Sequence, residues 1–108
     1  MDAIALLTLY AKGQRDFIDA ELKKANFQGQ ILSGIDFQGA KLNEANFQNA
    51  DLRGADFQDT ILTGANFQDA NLQGANFKCA NLQGVNFQKV NFKRANLAYA
   101  TLQGANLQ

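Results

Sequence analysis

The sequence predicts a solenoid, a chain that coils repeatedly around one apolar axis, and three observations point to it. From Phe17 to Leu107 every fifth residue is Phe or Leu, nineteen times without interruption. Two positions before it stands a small residue, usually Ala, as at Ala20, Ala25, Ala40, Ala45, Ala50, Ala55, Ala65, Ala70 and Ala75. The composition agrees: 46% of the 108 residues are hydrophobic, enough for one core, yet Trp and Pro are absent and Asn and Gln abound. That mixture suits a repeat array better than a layered domain.

Residues 1–14 lie outside the repeat. Asp2 can N-cap a helix over about Ala3–Lys12, with Gly13 as its stop. Ile4, Leu6, Leu7, Leu9 and Tyr10 make it too apolar for an isolated surface helix. It is expected to lie over the first coil and hide the end of the apolar stack.

From residue 15 onward the period of five fits neither the 3.6 of a helix nor the 2 of a strand. One large apolar residue in five cannot make a core inside a single unit. Successive units must therefore coil, so that their large residues share an axis and stack on those of the next coil. The small residue beside each lets the backbone close around that axis.

Units such as Ala45-Asn46-Phe47-Gln48-Asn49 and Ala75-Asn76-Phe77-Lys78-Cys79 carry the pattern A-[DN]-[LF]-x-x. In this the chain resembles the pentapeptide-repeat proteins, over about residues 15–108. The resemblance implies an all-β fold, a right-handed quadrilateral parallel β-helix of about five coils, with four units and 20 residues per coil. The expected division is a capping helix in 1–14 and a β-helix in 15–108. At a strand spacing of about 4.8 Å, five coils would rise ~20–25 Å.

A second period supports four faces. Phe recurs every ten residues from Phe17 to Phe87, with Leu midway from Leu22 to Leu82, which places Phe on two opposite faces and Leu on the other two. The alternation breaks at Phe92, so the last coil should pack differently, with Tyr99 covering it. Gly34, Gly54 and Gly74 fall on one Leu face and Gly64, Gly84 and Gly104 on the other. Type II turns are expected mainly there, because their third residue needs a positive φ. Other turn types are expected on the Phe faces.

Ten Lys and Arg balance ten Asp and Glu, so no basic surplus draws the chain to nucleic acid or to an anionic membrane. The balance hides a polarity. Residues 1–69 hold all ten acids against six bases, a net of −4, while 70–108 hold Lys78, Lys89, Lys93 and Arg94 with no acid. The N-terminus has no basic leader region and its apolar stretch is too short to span a bilayer, so the cytoplasm is the expected address.

The chain lacks His, and Cys79 is its single cysteine. Hydrolytic triads and cysteine-based metal clusters thus lack their parts, and no catalytic, cofactor-binding or metal-ligating residue is assigned. Stacking brings Asp16, Asp36 and Asp56 into one acidic stripe, with Asp19 and Asp59 beside it. It could face a partner, or be a solvated face whose carboxylates bond local amides. Asn26, Asn46, Asn66, Asn86 and Asn106 stack with the parallel Gln column from Gln28 to Gln108, and should form amide ladders. Leu97, Leu102 and Leu107 form a terminal apolar layer, from which a weak C-terminal homodimer is expected, tightening with salt.

Together these readings describe a non-catalytic structural or protein-interaction module that presents flat faces to a protein partner of unknown identity. The alternative is a DNA-mimicking regulator or protector of a DNA-acting enzyme such as gyrase, a role that resemblance to gyrase-protecting members implies and neutral net charge disfavours.

Overall fold

A computed structural model describes residues 1–108. Its single helix, α1 (Ala3–Ala11), begins where the sequence places a cap: the Asp2 side chain accepts a hydrogen bond from Ala5 N–H at 2.8 Å. Lys12 closes it, and Gly13 turns the chain away with φ +102°. No charge lies within α1. Leu6 is fully buried against the first coil, while Ile4 is 77% exposed. Tyr10 fastens the far end, its hydroxyl donating to Ser33 O at 2.7 Å while the Arg15 guanidinium lies 3.6 Å over its ring. No helix is long and apolar enough to cross a membrane.

Residues 16–108 form a right-handed four-sided β-helix. Fifteen parallel bridges join positions 20 apart, from Asp16–Asp36 to Asn86–Asn106, so one coil takes 20 residues and four units. Each side of a coil pairs through one bridge residue only. Phe17 N–H donates to Asp36 O and Asp36 N–H to Arg15 O, both at 2.8 Å, and this pair of bonds recurs up the rod. The extents are 34 × 21 × 20 Å. Five coils at about 4.8 Å account for some 24 Å of the long axis, and the α1 layer for about 10 Å more.

The axis is filled as the second period requires. Phe27, Phe47 and Phe67 stack in one column, with ring centroids 5.2 and 4.9 Å apart; Phe37, Phe57 and Phe77 stack opposite, at 5.5 and 4.8 Å. Between columns the rings meet edge to face, as Phe57 and Phe67 do at 5.7 Å and 88°. Aromatic quadrupoles favour that crossing. The Leu columns and the small residues at the corners complete a core of 26 buried residues.

Two expectations need correction. The turns do not divide by face. The third residue of every turn has φ between 56° and 73°, in Asp19, Lys24, Glu44, Asp59, Lys89 and Tyr99 as much as in the glycines. Each turn is closed by the same bond, as Ala20 N–H to Phe17 O at 3.2 Å and Ala25 N–H to Leu22 O at 3.1 Å. A positive φ at the third residue alone is the signature of type II on all four faces. Ladder bonding to the coils above and below imposes one corner geometry, whatever residue stands there. Tyr99 also points away from the last coil and is 85% exposed. Its position is a corner, from which a side chain leaves the rod.

Candidate interaction faces

The four outer faces, numbered from the columns that begin at Asp16, Glu21, Asn26 and Ile31, are rows of side chains spaced one coil apart. On the first face the expected acidic stripe is brought together: Asp16, Asp36 and Asp56 are consecutive bridge partners. Each turns one oxygen inward to its own backbone, Asp16 to Ile18 N–H at 3.1 Å, Asp36 to Gln38 N–H at 3.0 Å and Asp56 to Gln58 N–H at 2.9 Å. Amides continue the column beyond, where Asn76 Nδ2 donates to Asp56 Oδ1 at 3.3 Å. Asp19 and Asp59 stand at the adjoining corner with Gly39 between them, and the Asp19 carboxylate lies where a Cβ on Gly39 would collide with it.

The third face carries the Asn and Gln columns, and here the ladder expectation is corrected. Each Asn oxygen accepts from the backbone two residues on, as Asn46 from Gln48 N–H and Asn66 from Gln68 N–H, both at 3.0 Å. Bonds between coils are sparse, with Asn46 Nδ2 to Gln28 Oε1 at 3.4 Å on this face. Local closure wins because the two partners are already positioned by the same turn, so no further side chain need be ordered.

On the fourth face Arg53 grips Asp51, Nε to Oδ1 at 2.9 Å and Nη2 to Oδ2 at 2.7 Å. These side-chain bonds from Arg53 hold the Asp51 carboxyl below the usual carboxylate range, against the opposing push of partial burial. Sequence reasoning missed the pair. Residues two apart share one side of a strand, so the spacing was the available signal. Lys41–Glu21 at 3.2 Å and Lys24–Glu44 at 3.9 Å are the other ion pairs, both on the second face. The bases Lys78, Lys89, Lys93 and Arg94 have no acidic partner within the chain. The Cys79 thiol is free and exposed at a corner.

Leu97 and Leu102 of the terminal layer are half-buried and Leu107 is 56% exposed. The backbone N–H groups of Leu97, Leu102 and Leu107 have no partner within the chain.

Residues 20–59, 40–78, 50–88 and 75–108 match the family model for pentapeptide repeats, in eight copies. Among solved structures the chain is similar to a pentapeptide repeat protein from the cyanobacterium Cyanothece 51142, at 35% identity and TM-score 0.85, over 86% of this chain and 64% of that one. A pentapeptide repeat protein from the Arabidopsis thaliana thylakoid lumen aligns at 43% identity and TM-score 0.73, over 73% and 55% of the two chains. The Nostoc protein HetL, involved in heterocyst differentiation regulation, aligns at 34% identity and TM-score 0.63, over 100% of this chain and 48% of its own. The chain thus spans between about half and two thirds of these relatives' lengths. Comparison with curated proteins gives no match.

Proposed function

The chain belongs to the pentapeptide-repeat family, and from that premise we propose that it is a non-catalytic interaction module whose flat faces hold a protein partner. The observation that carries this is the fixed register of the outer side chains. Corner turns of one geometry in every unit, joined by Asx bonds wherever Asn or Asp precedes the large residue, hold the columns at a constant spacing, so little order is left to be imposed on binding. HetL, a relative in regulation, aligns with the whole of this chain.

The first face offers the strongest contrast, with Asp16, Asp36, Asp56 and Asp59 in the first three coils and Lys78 in the fourth. Such polarity along a face would orient a partner with the opposite pattern. It also argues against imitation of duplex DNA. The acidic column gives way to Asn76 and Asn96 after three residues, and a duplex presents unbroken negative charge.

The test places a photo-crosslinking residue at Gln58, Gln83, Gln68 or Gln73, one on each face. Crosslinking in native lysate should join one protein at one face. Equal, diffuse labelling from all four positions would sink the proposal. A gyrase supercoiling assay separates the alternative, since protection or inhibition belongs to DNA mimicry alone.

A further inference from the structure

Where α1 begins, part of the first coil is left uncovered. Between Ala3 and Ile4 of the helix and residues 21–26 of the coil lies an open groove of about 520 Å³, with Leu22 also contributing to its apolar lining. Its far wall is a main-chain edge. In the next coil Lys41 N–H donates to Ala20 O at 2.9 Å, while Lys41 O accepts from Leu22 N–H and Asn43 O from Lys24 N–H, both at 2.8 Å. Those groups therefore point toward the N-terminal end of the rod. Glu21 and Lys23 occupy the same places one coil earlier, and Glu21 N–H, Glu21 O and Lys23 O have no partner within the chain.

At two other points the same edge is closed. Tyr10 Oη bonds Ser33 O at 2.7 Å, and Gln14 Nε2 bonds Asp16 O at 3.0 Å. Ile18 O, Gln28 O and the N–H and O of Ile31 are also left open, but the stretch that borders the groove runs from Glu21 to Asn26. Its charges are unequally committed. Lys41 pairs with Glu21 at 3.2 Å and Asp2 caps α1, but Lys23 is in no ion pair.

The geometry points to a docking groove for a short, extended acidic peptide, which adds as a parallel strand to Glu21–Lys23. Two peptide amides, two residues apart, donate to Glu21 O and Lys23 O, and a peptide carbonyl accepts from Glu21 N–H, repeating the bonds that each coil makes with the next. An apolar side chain of the peptide lies in the groove against Ala3 and Ile4, and a carboxylate lies beside Lys23. Strand edges left open in this way are the usual templates for such pairing. The inference rests on the reading of the chain as an interaction module, but it uses the rod's end and none of its faces.

Fluorescence anisotropy on the 108-residue chain tests it with a labelled, end-capped Val-Asp-Leu-Asp-Val peptide. Two controls are the same peptide N-methylated at the donating amides and a Val-Lys-Leu-Lys-Val counterpart. The acidic peptide should bind, the N-methylated one should not, and the lysine one should bind about fivefold more weakly. Lys23→Glu should weaken the acidic peptide about fivefold with an unchanged melting temperature, since the Lys23 side chain is exposed and unpaired. Equal binding of all three peptides, or no binding of the acidic one at millimolar concentration, overturns the groove. So does protection of the Glu21 amide from hydrogen exchange that rises with protein concentration, because a second copy would then fill the edge. A chain that crosslinks one partner through a face yet ignores the peptide loses only the groove; the opposite result loses only the face.

Discussion

The two middle coils, residues 36–75, and the stretch 91–108 are built on the same repeat and bury it very differently. Phe37, Leu42, Phe47, Leu52, Phe57, Leu62, Phe67 and Leu72 are completely inaccessible, whereas Phe92, Leu97 and Leu102 are half-buried. The corner alanines follow: Ala45, Ala55 and Ala65 are sealed, and Ala95, Ala100 and Ala105 are partly open. Local conformation does not differ, since Arg94 and Tyr99 hold the same positive φ as Glu44 and Asp59. Burial in this fold is a property of neighbouring coils. A middle coil has one on each side, and the last has one on a single side within residues 1–108. At the other end α1 takes the neighbour's place, and Phe17 and Leu22 are buried beneath it.

The largest expected effect removes that substitute. Deleting residues 1–12 strips the cover from Phe17 and Leu22 and frees Ser33 O, and should make the chain aggregate. Light scattering with a thermal melt checks this; an unchanged monomer with an unchanged melting temperature would show that α1 is no cap. Next in size is a contrast between coils. Phe57→Ala should cost about 3–5 kcal/mol, because ring neighbours above, below and across cannot collapse into the gap. Leu102→Ala, already half in solvent, should cost about 1 kcal/mol. Denaturant melts giving equal losses would break the comparison.

Smaller effects probe the corners. Cys79 holds φ +62°, a conformation that strains any residue with a Cβ. Cys79→Gly should stabilise the chain by less than about 1 kcal/mol, the relief of strain being offset in part by the greater freedom of Gly when unfolded. A destabilised variant would mean that the side chain contributes more than its strain. The smallest effect concerns pH. The folded chain holds the Asp51 carboxyl below its ordinary value of 3.8, so it binds that proton less readily than the unfolded chain does. The Asp51–Arg53 pair therefore contributes stability above that pH and loses it as the pH falls through the folded value. In Asp51→Asn this acid-side component should vanish, at a cost of a few tenths of a kcal/mol near neutrality, since Asp51 is partly buried but its partner Arg53 is exposed to solvent. Stability curves between pH 2 and 6 for the two proteins should converge on the acid side. Parallel curves would remove the pair from the account.

Much of the rod was legible in the residues because its determinants recur. The five-residue period, the Phe and Leu alternation and the small corner residues each state a local rule many times over, and the axis can satisfy them in one way only. The start of α1 was legible too, since Asp2 names its own cap. What escaped depends on groups far apart in the chain. The positive φ at Lys24, Glu44 and Arg94 runs against their own preference and is imposed by bonds to coils 20 residues away. The Asn columns look like ladders in a repeat table, yet each amide finds a nearer partner in its own turn. The groove beside Glu21 and Lys23 needs the angle at which α1 crosses the first coil, and no local pattern encodes an angle. Periodic side chains thus determined the coil by themselves. Corner conformation, side-chain bonding and the shape of the rod's end were decided by tertiary structure, because hydrogen-bond ladders and helix packing join residues that the sequence keeps apart.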